Sequence, residues 1–158
     1  MSALRLVKTH EQEREQNRVS FCGHCGKQPK TESDAASRVC NDCGLGLILQ
    51  AAADVAPGPK DSFLVIDQTL SVCAMSAAAE QLLDVDETQA VNRHVADFLV
   101  PAAAEEKSAN LLALLVDAAG SESEPRTTFV RPAHEFGVRF KARVAACGPP
   151  HAALLVLE

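Results

Sequence analysis

Four cysteines in two closely spaced pairs are the residues of this sequence best suited to chemistry. The pairs are Cys22-Gly-His-Cys25 and Cys40-Asn-Asp-Cys43, and 14 residues separate Cys25 from Cys40. Thiolates are soft anionic ligands, and four of them suit a tetrahedral zinc ion. Each pair places two sulfurs on one tight turn, so the two turns together can complete a tetrahedron. The sequence therefore predicts a metal site at Cys22, Cys25, Cys40 and Cys43.

The predicted site is structural, because four thiolates leave no coordination position for a substrate. Gly26 and Gly44 follow the two pairs, and glycine accepts the positive φ that turns backbone N–H groups toward the sulfurs. Iron in a rubredoxin-like redox site is the main alternative metal. His24 lies inside the first pair, and we expect it to be a solvated turn residue rather than a ligand.

Composition indicates a globular protein of a reducing compartment. The chain has 158 residues, 47% hydrophobic and 23% charged, with six Phe and neither Trp nor Tyr. Scarce aromatic residues argue against a base-stacking surface for single-stranded nucleic acid. No run approaches the roughly 20 apolar residues of a membrane span, and the N-terminal residues do not resemble a signal peptide. We expect a cytoplasmic protein that has no membrane partner, with Cys73 and Cys147 as buried free thiols.

Charge is distributed unevenly between the two halves of the chain. Residues 1–60 carry eight Lys/Arg and seven Asp/Glu, a net of +1, whereas residues 61–158 carry seven and fourteen, a net of −7. An acidic second half is poorly suited to holding a nucleic-acid backbone. Residues 1–60 also lack a dense group of basic residues, so nucleic acid is not the favoured partner.

Composition shifts divide the chain into four predicted parts. These are an N-terminal helix within residues 1–18, a four-cysteine zinc ribbon at 19–50, a linker at 51–60 and a second domain at 61–158. Thirty-odd residues cannot build a core of their own, so the metal must supply folding free energy to the ribbon. Pro57-Gly58-Pro59 interrupts any regular element and marks the boundary.

The second half reads as two strands, a set of helices and three further strands. Ser76 can cap the first helix, Gly120 can end the longest one, and residues 137–146 alternate with Arg139, Lys141 and Arg143 on one side. The predicted strands are 63–66, 71–75, 126–130, 137–146 and 151–157, and the predicted helices are 77–83, 88–99 and 102–119.

This order resembles a PAS domain over about residues 61–158. The segment FLVIDQTLSVCAMSAAAEQLLDVDETQAVNRHVADFLVP carries the resemblance, with Asp67 ending the first strand and Ala78-Ala79-Glu80 in the first helix. Ser76 stands where the family often has Asn, while Asp84 and Asn92 stand where Gly is usual. Asp and Asn tolerate left-handed backbone better than other non-glycine residues. The resemblance implies an α+β fold with a five-stranded antiparallel sheet, order 2-1-5-4-3, and helices on one face.

PAS domains often hold haem, flavin or a small acid between the sheet and the helices, and the resemblance does not say which. The sequence lacks the Asn-Cys-Arg-Phe-Leu-Gln-like run of covalent flavin sensors. A haem would need an axial ligand, usually a histidine on or near the long helix. His94 is the candidate cofactor ligand, with His134 and His151 less favoured because they lie beside turns.

The sequence shows no catalytic constellation, so we expect a non-enzymatic protein. The leading hypothesis is a signalling or regulatory adaptor, in which the PAS-like domain senses a ligand or mediates homodimerisation and the zinc ribbon binds a protein partner. One alternative is a DNA-binding regulator, which would require convergence of Arg14, Arg18, Lys27, Lys30 and Arg38. Another is a redox protein with iron at the four thiolates.

Overall fold

The computed structural model describes residues 17–102, 110–121 and 124–158. The helices of these ranges are α1 (Glu32–Ala36), α2 (Ala77–Leu83), α3 (Glu87–Ala90) and α4 (Leu111–Gly120), with a 3-10 turn at Val95–Asp97. The strands are β1 (Arg18–Cys22), β2 (Ile48–Ala52), β3 (Ser62–Ile66), β4 (Val72–Met75), β5 (Leu99–Pro101), β6 (Arg126–Pro132), β7 (Phe140–Cys147) and β8 (Ala152–Leu157). Most of the predicted N-terminal helix lies outside the described residues, and Arg18 at its predicted end begins β1.

The described strands form two antiparallel sheets. β1 and β2 make a small hairpin sheet, and the other six strands have the order β4-β3-β8-β7-β6-β5. The PAS resemblance implied five strands, and the observed sheet has a sixth because β5 pairs with β6, Leu99 opposite Pro132. The prediction of a helix across residues 88–99 was therefore wrong at its end. Pairing with a neighbouring strand overrides the local preference of such a short segment.

The first core lies between the helices and one face of the large sheet. Leu111, Leu115 and Ala118 of α4 pack there against inward residues of β7 and β8. Asn110 caps α4 through its side chain, which accepts a hydrogen bond from the Leu112 N–H. The predicted helix over 102–119 is thus observed at Leu111–Gly120, and residues 103–109 lie outside the described part.

Sharp turns around α2 and α3 depend on the residues that replace glycine in the PAS pattern. Asp84 ends α2 with φ +51, and Asn92 follows α3 with φ +71. Both residues adopt the left-handed backbone predicted for them. Ser76 is the predicted N-cap of α2, and its Oγ accepts a hydrogen bond from the Ala79 N–H at 3.1 Å.

The second core lies on the opposite face of the sheet, where the β1–β2 hairpin packs. Phe21 and Leu49 from the hairpin meet Phe63, Leu154 and other outward residues of the sheet. The Phe21 and Phe63 rings stand edge to face with centroids 5.7 Å apart. Every residue of β8 is buried, because helices cover one of its faces and the hairpin covers the other. The ribbon thus shares a core with the sheet.

The range predicted as a linker takes part in this packing. β2 extends to Ala52, Ala51 is fully buried, and Val55 is 3% exposed. A backbone pair between Gln50 and Gly148 ties β2 to the end of β7, with the Gly148 N–H donating to the Gln50 carbonyl at 3.0 Å. The segment after the second cysteine pair therefore contributes apolar side chains to the shared core.

Candidate metal centre

Two matched turns present the four cysteines. Cys22 ends β1, and Cys40 precedes the second turn. In each turn, the N–H of the glycine after the pair donates a hydrogen bond to the carbonyl of the first cysteine. The Gly26 N–H donates to the Cys22 carbonyl at 3.0 Å, and the Gly44 N–H donates to the Cys40 carbonyl at 2.9 Å. Gly26 has φ +72 and Gly44 has φ +69. These values agree with the role that the sequence predicted for both glycines.

The four sulfurs form one compact cluster. All four Sγ atoms lie within 4.8 Å of one another. The Cys22 and Cys43 sulfurs are 3.6 Å apart, and the Cys25 and Cys40 sulfurs are 3.8 Å apart. A tetrahedral ion with Zn–S bonds near 2.3 Å would separate its sulfurs by about 3.8 Å. The cluster fits one tetrahedral metal ion, and all four cysteines are free thiols.

Backbone N–H groups point at the sulfurs from both turns. The His24 and Cys25 N–H groups lie 3.3 and 3.4 Å from the Cys22 Sγ, and the Gly46 N–H lies 3.4 Å from the Cys43 Sγ. Such donors stabilise thiolates and orient them toward a metal. The turns therefore supply both the ligands and the dipoles that hold them.

Burial opposes ionisation of the clustered thiols, as their pKa values show. Burial raises the pKa of the Cys22 thiol far above its usual range and also raises the pKa of Cys25. Burial opposes ionisation of Cys43 as well, but the backbone N–H groups of Leu45 and Gly46 lower its pKa to about 6. One sulfur thus ionises at the expense of its neighbours. A divalent cation would stabilise all four as thiolates.

His24 joins the first cysteine turn to the helices of the second half. Its Nδ1 lies 3.3 Å from Glu87 Oε2 and 3.8 Å from Glu80 Oε1, and its carbonyl accepts from the Ala77 N–H at 3.2 Å. Burial lowers the His24 pKa, but Glu87 and Glu80 together raise it above the ordinary value. The expectation of a solvated turn residue was wrong. Only the fold could reveal Glu87, which is 63 positions away in sequence.

Two glycines allow close packing around the first turn. A Cβ on Gly26 would overlap the Gly58 carbonyl oxygen, and a Cβ on Gly46 would overlap the Cys22 sulfur. Gly58 lies in the Pro57-Gly58-Pro59 segment, so this segment packs directly against the first cysteine turn. Gly46 was not predicted from the sequence, although the Gly44-Leu-Gly46 pattern after the second pair is a signal for it.

The other candidate ligands lie away from this centre. His94 is exposed, and its Nδ1 accepts a hydrogen bond from the Ala96 N–H at 3.0 Å to cap the 3-10 turn. This position does not support the prediction of a haem ligand. His134 and His151 are also exposed. Of the remaining thiols, Cys147 is buried as predicted, whereas Cys73 is exposed.

The cations of the ribbon do not gather into one surface within the described residues. Lys27 and Lys30 each pair with Asp42 at 3.9 Å, and Arg18 donates to the Gln50 carbonyl at 3.2 Å. Arg38 is exposed, and Arg14 lies outside the described residues. Asp42 partly neutralises the two lysines that a DNA-binding ribbon would use.

Comparison with known proteins yields structural neighbours alone. No protein-family model matches the chain, and no curated protein matches it. Among solved structures, the PAS domain of nitrogen regulation protein NR(II) from Vibrio parahaemolyticus is similar, with 16% identity, 62% of this chain and 87% of that chain covered, and a TM-score of 0.46.

Two further neighbours are similar at comparable levels. The PAS domain of an HTR-like protein from Haloarcula marismortui has 15% identity, covers 61% of this chain and 78% of its own, and gives a TM-score of 0.43. The PAS domain of a Desulfitobacterium hafniense protein has 15% identity, with 62% of this chain and 90% of that chain covered, and a TM-score of 0.43.

In the described part of this chain, no helix is long and apolar enough to cross a membrane.

Proposed function

We propose that this protein is a non-enzymatic regulatory protein. In it, a structural zinc ion fastens a ribbon to the sheet of a PAS-like sensory domain. The observation that carries the proposal is the four-sulfur cluster at the end of a hairpin that shares its core with the sheet. Cys22, Cys25, Cys40 and Cys43 would hold the ion, which would supply folding free energy without an open coordination position. Output then passes through protein partners, among them a second copy of the chain.

The contacts of the first cysteine turn support a regulatory role. Through His24, this turn reaches Glu87, and the same Glu87 oxygen accepts a hydrogen bond from the Met75 N–H at 2.8 Å on edge strand β4. A structural change at the metal centre would therefore alter the packing of α2, α3 and β4. Coupling of this kind needs two packed arrangements whose populations a ligand or partner can shift.

Apolar exposure on the ribbon supports a protein partner rather than DNA. Val39, Leu45 and Leu47 are exposed large apolar residues, and Val39 pairs with Leu47 in a short bridge. An exposed apolar cluster of this kind is typical of protein interfaces. DNA backbones instead require a row of unneutralised cations.

Native mass spectrometry of the purified full chain tests the proposal. We expect one zinc ion per chain and a dimer, and we expect Cys22→Ser to lose the metal. Cys73→Ser is the matched control, because Cys73 is exposed and lies outside the sulfur cluster, and it should retain the metal.

Three results would contradict parts of the proposal. If the purified protein contained iron and absorbed visible light, the four-cysteine site would be a redox centre and not a structural zinc site. A chain that stays monomeric at every concentration, with no small molecule retained after purification from its own cells, would remove the sensory and dimerisation roles. Full metal content in Cys22→Ser would exclude the four-cysteine site.

A further inference from the structure

The cations of the second half are concentrated on one part of the sheet. Residues 61–158 contain seven Lys/Arg against fourteen Asp/Glu. Most of the seven lie on β6, on β7 or in the turn between them, namely Arg126, Arg131, Arg139, Lys141 and Arg143. The acidic side chains Glu80, Asp84 and Asp86 line a separate groove beside α2 and α3. The cations and these acids therefore lie on separate parts of the second half, as they do along the sequence.

Side chains of β6 and β7 project away from the helices to form a mixed cationic and aromatic surface. Val130, Ala142 and Val144 point into the core under the helices. Because alternate residues of a strand face opposite ways, their neighbours point outward. Phe129 lies directly opposite Lys141 in the strand register. We call this surface the basic face, and it consists of Phe129, Arg131, Phe136, Arg139, Lys141 and Arg143.

Within the described residues, the ribbon leaves most of the basic face accessible. The exception is Arg143, whose Nη1 donates to the Asp54 carbonyl at 3.1 Å in the segment after β2. The hairpin packs on the later part of β7, at Ala145 and Cys147, and on β8 and β3. Phe136 remains 82% exposed and Phe129 remains 38% exposed. The Lys141 side chain is 50% exposed. Two exposed aromatic rings beside several cations have the composition of an interface hot spot.

Ring stacking prepares two guanidinium groups to bind carboxylates. The Arg139 guanidinium lies 4.0 Å from the centroid of the Phe129 ring, and that of Arg131 lies 4.4 Å from the Phe136 centroid. The Nη1 of Arg131 also donates to the Pro132 and Ala133 carbonyls at 3.1 and 3.3 Å, which holds this guanidinium in place. A guanidinium held in this way can offer the N–H donors of its other nitrogens to a carboxylate. Stacking also fixes the side chain before binding, which lowers the entropy cost.

The basic face already binds one carboxylate. Glu158 Oε1 lies 2.6 Å from the Arg143 Nε, and Glu158 Oε2 lies 3.8 Å from the Lys141 Nζ. The Glu158 side chain is 41% exposed and that of Lys141 is 50% exposed, so their contact is open to water and can exchange with another acid. The basic face therefore already forms, within this chain, the ion pairs with a carboxylate that a partner would form.

We propose that the basic face is a docking surface for an acidic polypeptide segment of a partner protein. Carboxylates of the segment bind Arg131, Arg139 and Lys141, while an apolar side chain packs on Phe136. Peptide is favoured over nucleic acid because a guanidinium already occupies one face of each ring, which leaves fewer faces for base stacking. The net charge of −6 also opposes a densely charged phosphate backbone. The proposal rests on the proposed function in assigning a protein partner, but it requires neither the metal nor a dimer.

Fluorescence anisotropy with the zinc-loaded full chain tests the docking surface. The probe is a short fluorescein-labelled peptide of alternating glutamate and leucine. We expect saturable binding that weakens as salt is raised. In NMR spectra of the same mixture, the amide signals of Phe129 and Lys141 should shift. Lys141→Glu and Arg139→Glu should each weaken binding by about tenfold, because a charge at the interface is reversed.

Lys60→Glu is the matched control, since Lys60 is exposed in the turn before β3 and β8 separates β3 from β7. It should leave peptide binding unchanged. Absence of binding, or equal binding by Lys141→Glu and wild type, would overturn the proposal. Tighter binding of single-stranded oligothymidylate would assign the face to nucleic acid instead. None of these outcomes alters the metal content that tests the proposed function.

Discussion

At the scale of single residues, Gly44 and Gly46 of the second cysteine turn are required for different reasons. Gly44 has φ +69, and none of the described residues has an atom within 4 Å of the place where its Cβ would stand. Gly46 has no positive φ, but a Cβ there would overlap the Cys22 sulfur and lie 2.9 Å from the His24 backbone nitrogen. Gly44 is needed for its backbone conformation, whereas Gly46 is needed for the space beside the sulfur.

Gly46→Ala should therefore weaken metal binding by more than about tenfold, because the sulfur and the His24 N–H that orients it must both move. Competition with a chromogenic zinc chelator measures the change in affinity.

Gly44→Ala is the control for this experiment. It should lower the free energy of unfolding by about 1 kcal/mol through left-handed strain, with metal affinity nearly unchanged. Equal zinc affinity in Gly46→Ala and wild type would contradict the close approach at the Cys22 sulfur.

At the scale of elements, Ser76 connects the start of α2 to the start of β3. It is 3% exposed, and its Oγ accepts hydrogen bonds from the Ala79 N–H and the Phe63 N–H. The same hydroxyl donates to the Asp61 carbonyl at 3.0 Å. One side chain thus caps a helix and also satisfies buried backbone groups of a strand.

Ser76→Ala should lower the free energy of unfolding by about 2 kcal/mol, because the substitution removes a cap and leaves the buried Phe63 N–H without its acceptor. Urea unfolding followed by far-ultraviolet circular dichroism gives this value.

Thr31→Ala provides a comparison in the same chain. Thr31 caps the short helix α1 at an exposed position, where its Oγ1 accepts from the Asp34 N–H at 3.0 Å. Its loss should cost about 0.5 to 1 kcal/mol. A smaller effect for Ser76→Ala than for Thr31→Ala would show that the Ser76 hydroxyl does not join the two elements.

At the scale of the whole molecule, the sheet is packed from both sides. Helices cover one face, and the ribbon covers part of the other through Phe21, Leu49 and Ala51. The metal centre lies at one end of the hairpin that contributes these residues. Folding of the ribbon and folding of the sheet are therefore coupled through a common core.

Phe21→Ala should lower the free energy of unfolding by about 3 to 5 kcal/mol, because a fully buried ring that packs against Phe63 is lost. Ribbon and sheet should still unfold in one transition. Amide hydrogen exchange measured on β1 and β3 in the same sample checks this coupling.

Phe136→Ala is the matched control, since that ring is 82% exposed, and it should change stability by no more than about 0.5 kcal/mol. If Phe21→Ala speeds exchange in β1 while β3 keeps its full protection, the ribbon folds independently of the sheet.

Local rules account for what the sequence predicted correctly. The cysteine spacing predicted the four-sulfur cluster, because each pair places its sulfurs on one turn. Ser76 was predicted as a cap from its place before a helical run. The PAS resemblance placed Asp84 and Asn92 where Gly is usual, and both residues tolerate the left-handed backbone observed there. Alternation and apolar runs predicted the main strands. The α+β class was implied by the PAS resemblance.

Tertiary structure alone decided which elements meet. Burial of both faces of β8 and the partnership of His24 with Glu87 each join residues distant in sequence. An alternating pattern marks a strand's two faces but does not say what covers the outer one. The cysteine spacing determined a four-sulfur cluster that fits a metal ion, whereas the packing of Phe21 on Phe63 determined that this cluster is joined to the sheet. Spacing acts within a turn, and burial depends on surfaces that only the folded chain brings together.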